Sequence, residues 1–119
     1  MLRAAAYLCA ALLLSLQPAT AQTCTPVEME GDTRIEGIAP PDGVVCYDLR
    51  FPQGQNLSLE VLDGINVSLT VPGYYDARNE RQFIGNLPGQ LEIRVFQLMR
   101  SVTEEPFTVL VRFEPPGNG

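Results

Sequence analysis

Histidine and lysine are both absent from this 119-residue chain, and each absence removes whole classes of chemistry. Without histidine no Ser-His-Asp or Cys-His arrangement can form, and His-ligated zinc or iron is excluded. Without lysine there is no Schiff-base nucleophile. No glycine-rich phosphate loop opens a helix, and no segment beyond residue 21 holds a helical period over ten residues. Long apolar runs are scarce as well. The single one, Ala4 to Leu16, follows Arg3 and is broken by Gln17-Pro18 before Ala19-Thr20-Ala21. That order is the pattern of a cleaved export signal, and a stretch of 13 residues, apolar but for Ser15, falls short of the roughly 20 needed to cross a bilayer. Residues 1–21 are therefore expected to be a signal peptide, and the protein periplasmic or secreted. A lipid anchor at Cys24 is poorly served by Gln22-Thr23.

The 98 residues from Gln22 to Gly119 suit one domain, expected over 22–114 with a disordered tail at 115–119. Two cysteines remain in it, Cys24 and Cys46. In an oxidising compartment a disulfide is the natural reading, tying the new N-terminus to the body of the domain. Fourteen carboxylates stand against seven arginines there, a net charge of −7. That sign argues against nucleic acid or an anionic membrane as partner. It suits a basic protein, and solubility alone accounts for it equally well.

Carboxylates by themselves can run hydrolytic chemistry, and Asp76 with Glu80, or Glu104 with Glu105, fall in expected loops. Solvated loop charge is the commoner role for such residues. Gly31-Asp32-Thr33 is followed by Arg34 where an aspartic-protease signature needs glycine, and it has no second copy. No D-x-[DN]-x-[DN]-G spacing supports calcium at Asp42, Asp63 or Asp76. The expectation is a protein that is not an enzyme and uses no cofactor or metal.

Period-two alternation is plentiful. Val45, Tyr47, Leu49 and Phe51 share one face, against Cys46, Asp48 and Arg50. Leu57, Leu59 and Val61 follow, and Asp63-Gly64 is a two-residue turn signal. Ile65, Val67, Leu69 and Val71 then alternate up to Pro72-Gly73, and a polar stretch runs from Tyr74 to Glu80. Short strands at Arg81–Ile84 and at an edge over Thr33–Ile38 accompany longer ones through Leu91-Ile93-Val95 and Phe107-Val109-Val111-Phe113. Alternation broken by regular turn signals predicts an all-β, antiparallel, jelly-roll-like sandwich of about seven strands with one disulfide.

The run Tyr47-x-Leu49-x-Phe51-x-x-Gly54-Gln55-x-Leu57-x-Leu59 and the later Leu87-Pro88-Gly89-Gln90-Leu91-Glu92-Ile93-Arg94-Val95 resemble bacterial pre-peptidase C-terminal domains. Arg94-Val95-Phe96-Gln97, with Arg100 behind it, also resembles the periplasmic inhibitors of g-type lysozyme. The resemblance covers about Gly43 to Phe113 and implies an exported sandwich used for protein or carbohydrate recognition. Those inhibitors carry a Ser-Gly-x-Tyr loop. Here its place holds Pro88-Gly89-Gln90-Leu91, without the serine or the tyrosine.

Two loops are candidates for partner contact. Tyr74, Tyr75, Arg78 and Arg81 combine the residue types enriched in binding hot spots. Phe96-Gln97-Leu98-Met99-Arg100-Ser101-Val102 breaks the alternation with successive apolar residues, as either a capped core or an exposed anchor. Arg94, Gln97, Met99 and Arg100 complete the contact set. The expected role is a non-enzymatic binding module for a protein or envelope partner, a basic and lysozyme-like one included. The alternatives are a lysozyme inhibitor with a degenerate loop and a structural envelope protein. Oligomeric state is left open.

Overall fold

A computed structural model describes residues 23–115; the expected signal over 1–21 and residues 116–119 of the expected tail lie outside the described residues. Nine strands fill that span and no helix interrupts them. They are β1 (Thr25–Glu28), β2 (Thr33–Ala39), β3 (Val44–Arg50), β4 (Asn56–Asp63), β5 (Val67–Val71), β6 (Tyr75–Arg78), β7 (Gln82–Ile84), β8 (Gln90–Gln97) and β9 (Glu105–Glu114). One sheet has the order β1-β3-β8-β5-β6 and the other β2-β9-β4-β7. All pairings are antiparallel except β1 with β3, which is parallel.

The inward residues are the ones the alternation selects. Tyr47 and Leu49 on β3, Leu91, Ile93 and Val95 on β8, and Leu69 and Val71 on β5 meet Leu57, Leu59, Phe107, Val109 and Val111 from the opposite sheet. Tyr47 and Phe107 join the two sheets edge to face, with ring centroids 6.4 Å apart and planes at 78°. Gly37 makes room for that contact. A Cβ there would lie 2.6 Å from the Tyr47 hydroxyl and 2.7 Å from Phe107 Cζ.

Four expectations need correction. There are nine strands, not seven, because β1 and β6 carry no apolar alternation and pair as short edge strands. β6 lies inside the stretch expected to be a polar loop. Asp63-Gly64 does not close a hairpin; it carries the chain from β4 in one sheet to β5 in the other. Ile65, expected inward, therefore falls in the crossover and is 79 % exposed. Cys46, on the outward face of β3, is nonetheless buried, since Cys24 covers it through the disulfide.

Candidate functional site

The sandwich has two ends. At one, β2, β4, β6 and β8 finish while β3, β5, β7 and β9 begin, and four connections lie there: 40–43, 64–66, 79–81 and 98–104. We refer to it as the loop end. The opposite end carries the connections 29–32, 51–55, 72–74 and 85–89.

Apolar exposure is concentrated at the loop end. Of the nine large hydrophobic residues exposed among the described residues, seven lie there: Ile38, Val44, Leu62, Ile65, Leu98, Met99 and Val102. Met99 is 71 % exposed and Val102 94 %. Within the run from Phe96 to Val102, Leu98, Met99, Arg100 and Val102 thus form an exposed apex, while Gln97 is buried and Phe96 half-buried.

The apex is held by polar groups beneath it. Gln97, buried at the last position of β8, donates from Nε2 to the carbonyls of Ala39 (3.1 Å) and Thr103 (2.9 Å). Its Oε1 accepts from the Ser101 hydroxyl (2.6 Å) and from Asn66 Nδ2 (3.4 Å). One amide thereby joins β2, the crossover, and both limbs of the 98–104 loop. Asn66 adds its backbone carbonyl, which accepts from Leu98 N at 2.8 Å. Arg100 reaches Asp42 across the mouth at 3.5 Å, both side chains being well exposed.

The candidate contact residues do not gather into one site. Gln97, Met99 and Arg100 share the loop end. Tyr74 and Tyr75 lie at the opposite end, where β5 turns into β6. Tyr75 leans on the core, its hydroxyl buried without a hydrogen-bond partner, and burial raises its pKa to about 12. Arg78 sits on the β6 edge and is exposed. Arg81 pairs with Glu114 on the outer face of the smaller sheet. Hydrogen bonds from Ser58 and then from Arg81 hold that carboxyl below its ordinary range. Arg94 pairs with Glu92 at 2.6 Å on the outer face of the larger sheet.

Pro88-Gly89-Gln90-Leu91 belongs to the end opposite the apex. Gly89 has φ 104, and a Cβ on it would lie 3.1 Å from the carbonyl oxygen of Phe51. An open groove of about 700 Å³ runs beside it, between Glu28, Glu30, Arg50, Phe51 and Gln90. Asp76, Glu80, Glu104 and Glu105, the carboxylates considered for catalysis, do not line that groove.

Sequence reasoning missed the roles of Asn66 and Ile65. The alternation starting at Ile65 treats that residue as inward strand and gives Asn66 no special role, whereas Asn66 has the left-handed backbone, φ 62, that asparagine tolerates after a turn.

No protein-family model and no curated protein sequence matches the chain. Solved structures do. PliG of Aeromonas hydrophila, a periplasmic lysozyme inhibitor of g-type lysozyme, aligns with a TM-score of 0.57 over 79 % of this chain and 100 % of its own, at 17 % identity. PliG of Salmonella Typhimurium, likewise a periplasmic inhibitor of g-type lysozyme, aligns at 0.58 over 78 % and 100 %, at 15 % identity. The pre-peptidase C-terminal domain of a Bacillus anthracis collagenase aligns at 0.53 over 80 % and 100 %, at 15 % identity. At these identities the likeness is one of fold. The chain is a β-sandwich of the shape shared by the PliG inhibitors and the pre-peptidase C-terminal domain.

Proposed function

We propose that this chain is an exported, non-enzymatic binding module that recognises a protein partner. The observation that carries the reading is the clustering of exposed Leu98, Met99, Val102 and Ile65 at one end of the sandwich. Contiguous apolar exposure of this kind marks interaction sites in soluble proteins. The frame beneath it supports the same reading, because a loop ordered in advance loses little entropy on binding. Export is supported by the signal pattern in residues 1–21 and by a disulfide, which persists in oxidising compartments. The absence of histidine and lysine supports a role without catalysis. The test is capture of envelope proteins on the immobilised, oxidised 22–119 protein, with Tyr74→Ala and Met99→Ser variants as controls. A partner retained by the parent and lost from either variant supports the module. Failure of the parent to retain any envelope protein sinks it.

Inhibition of a lysozyme is a second reading, supported by the fold shared with two PliG proteins. The missing serine and tyrosine at Pro88–Leu91 weigh against it. A lysis assay against g-, i- and c-type lysozymes decides the matter: stoichiometric inhibition of one supports this reading, and none at micromolar protein removes it.

A further inference from the structure

The loop end is apolar at its tip and acidic at its rim. Ile65, Leu98, Met99 and Val102 project from it, while Ile38 and Leu62 continue the apolar surface down the outer face of the smaller sheet. Asp42, Asp63 and Glu104 are exposed around this apex, and Glu105 is half-exposed. Arg100, the arginine of the 98–104 loop, is paired with Asp42. The carboxylates around the apex therefore outnumber the arginine of its loop, and the centre they surround is apolar.

We propose that this end, and not the Pro88–Leu91 end, is the partner-binding surface, and that it fits a cationic protein surface containing an apolar pocket for Met99 and Val102. The proposal rests on the binding-module reading above and adds the place and the chemistry of the partner. Charge complementarity selects the occupant. A second copy would bring four more carboxylates against these four, and like charges facing each other cost binding energy. Anionic headgroups would meet the same repulsion, and Arg100, the arginine of the 98–104 loop, is already paired with Asp42. A basic surface gains from the rim and receives the apex without loop ordering, since Gln97 and Asn66 hold it already. Val102, the most exposed of these residues, is the natural plug.

The experiment uses the oxidised 22–119 protein, isotope-labelled, titrated with an amphipathic leucine–lysine peptide and with its leucine–glutamate counterpart of equal length. The expected result is amide shift changes confined to residues 38–44, 62–66 and 98–105 with the lysine peptide, weakened by added salt and absent with the glutamate peptide. The double variant Met99→Ser, Val102→Ser is expected to bind at least about tenfold more weakly, as for hot-spot truncation. Its unfolding temperature is expected to be unchanged, because both side chains lie in solvent. Five results would overturn the proposal: shifts centred on residues 28–30, 50–52 and 88–90; equal response to the two peptides; no response to either; stronger binding to phosphatidylcholine vesicles than to the lysine peptide; or self-association that the double variant abolishes. Shifts at the other end would leave the binding-module reading standing, whereas failed capture of envelope proteins would remove that reading itself.

Discussion

Asn66 grips Met99 by both of its backbone groups: Nδ2 donates to the Met99 carbonyl at 2.5 Å, and Oδ1 accepts from the Met99 amide at 2.8 Å. The grip spans 33 residues of sequence and ties the β4–β5 crossover to the apex of the β8–β9 loop. It depends on the left-handed backbone at Asn66, φ 62, which asparagine tolerates better than most residues. Asn66→Ala is expected to lower stability by about 1–3 kcal/mol, through lost hydrogen bonds and an unfavourable φ. Asn66→Gly keeps the φ and loses only the grip, so it should fall between. Urea unfolding with hydrogen exchange at the Met99 amide checks both. Wild-type behaviour of the alanine variant would remove the clamp from the account.

Gln97 bonds four groups at once, and Gln97→Leu would take its donor from the Ala39 carbonyl and its acceptor from Asn66 Nδ2, while the Ser101 hydroxyl and the Thr103 carbonyl keep each other. A loss of about 1–3 kcal/mol is expected from such unsatisfied groups. The unfolding midpoint measures it. An unchanged midpoint would mean that water replaces the amide.

Tyr75 supplies a pH dependence with a defined sign. Burial favours its neutral phenol and lifts the pKa to about 12, against the weaker opposing pull of Arg78. The unfolded chain then binds fewer protons than the folded one above pH 10. Stability is full below that pH and declines as pH rises from about 10 towards 12. Tyr75→Phe should flatten that decline. It should also leave neutral-pH stability unchanged or higher, because the buried hydroxyl has no partner to lose. Denaturation midpoints between pH 8 and 12, with phenolate absorbance alongside, test both statements.

The Cys24–Cys46 bridge, 22 residues in sequence separation, fastens β1 to the edge of the larger sheet. β1 buries little else; only Val27 of its four residues is part-covered. Replacing both cysteines by alanine should cost about 3 kcal/mol in the chain-entropy model. Exchange at Thr25–Glu28 should accelerate before any other strand loosens. Uniform acceleration would show that β1 and the core unfold as one unit.

Much of the architecture was legible because its signal is local. In β3, β4, β8 and β9 a side chain's face follows from its parity, so Leu49, Leu59, Ile93 and Val109 identify themselves as core. β1 and β6 hid because their strand state comes from neighbours. Thr25–Glu28 is placed in parallel beside β3 next to the disulfide, and Tyr75–Arg78 is a polar edge paired to β5. Of the candidate contacts, Met99 and Arg100 were visible as a break in alternation, whereas Ile65 was read as core. A turn signal at Asp63-Gly64 says that the chain bends, not which sheet receives it.

Composition and periodicity alone determined the all-β class, the inward faces, the cysteine pair and the exclusion of histidine and lysine chemistry, since each is a property of residues counted or taken two apart. Tertiary structure alone decided that the 64–66 crossover and the 98–104 loop meet, that Gln97 is a buried joint between them, and that seven exposed hydrophobics share one end. Those facts depend on how two sheets stack and which loops that stacking brings together. Contacts 30 or more residues apart leave no mark in a two-residue period.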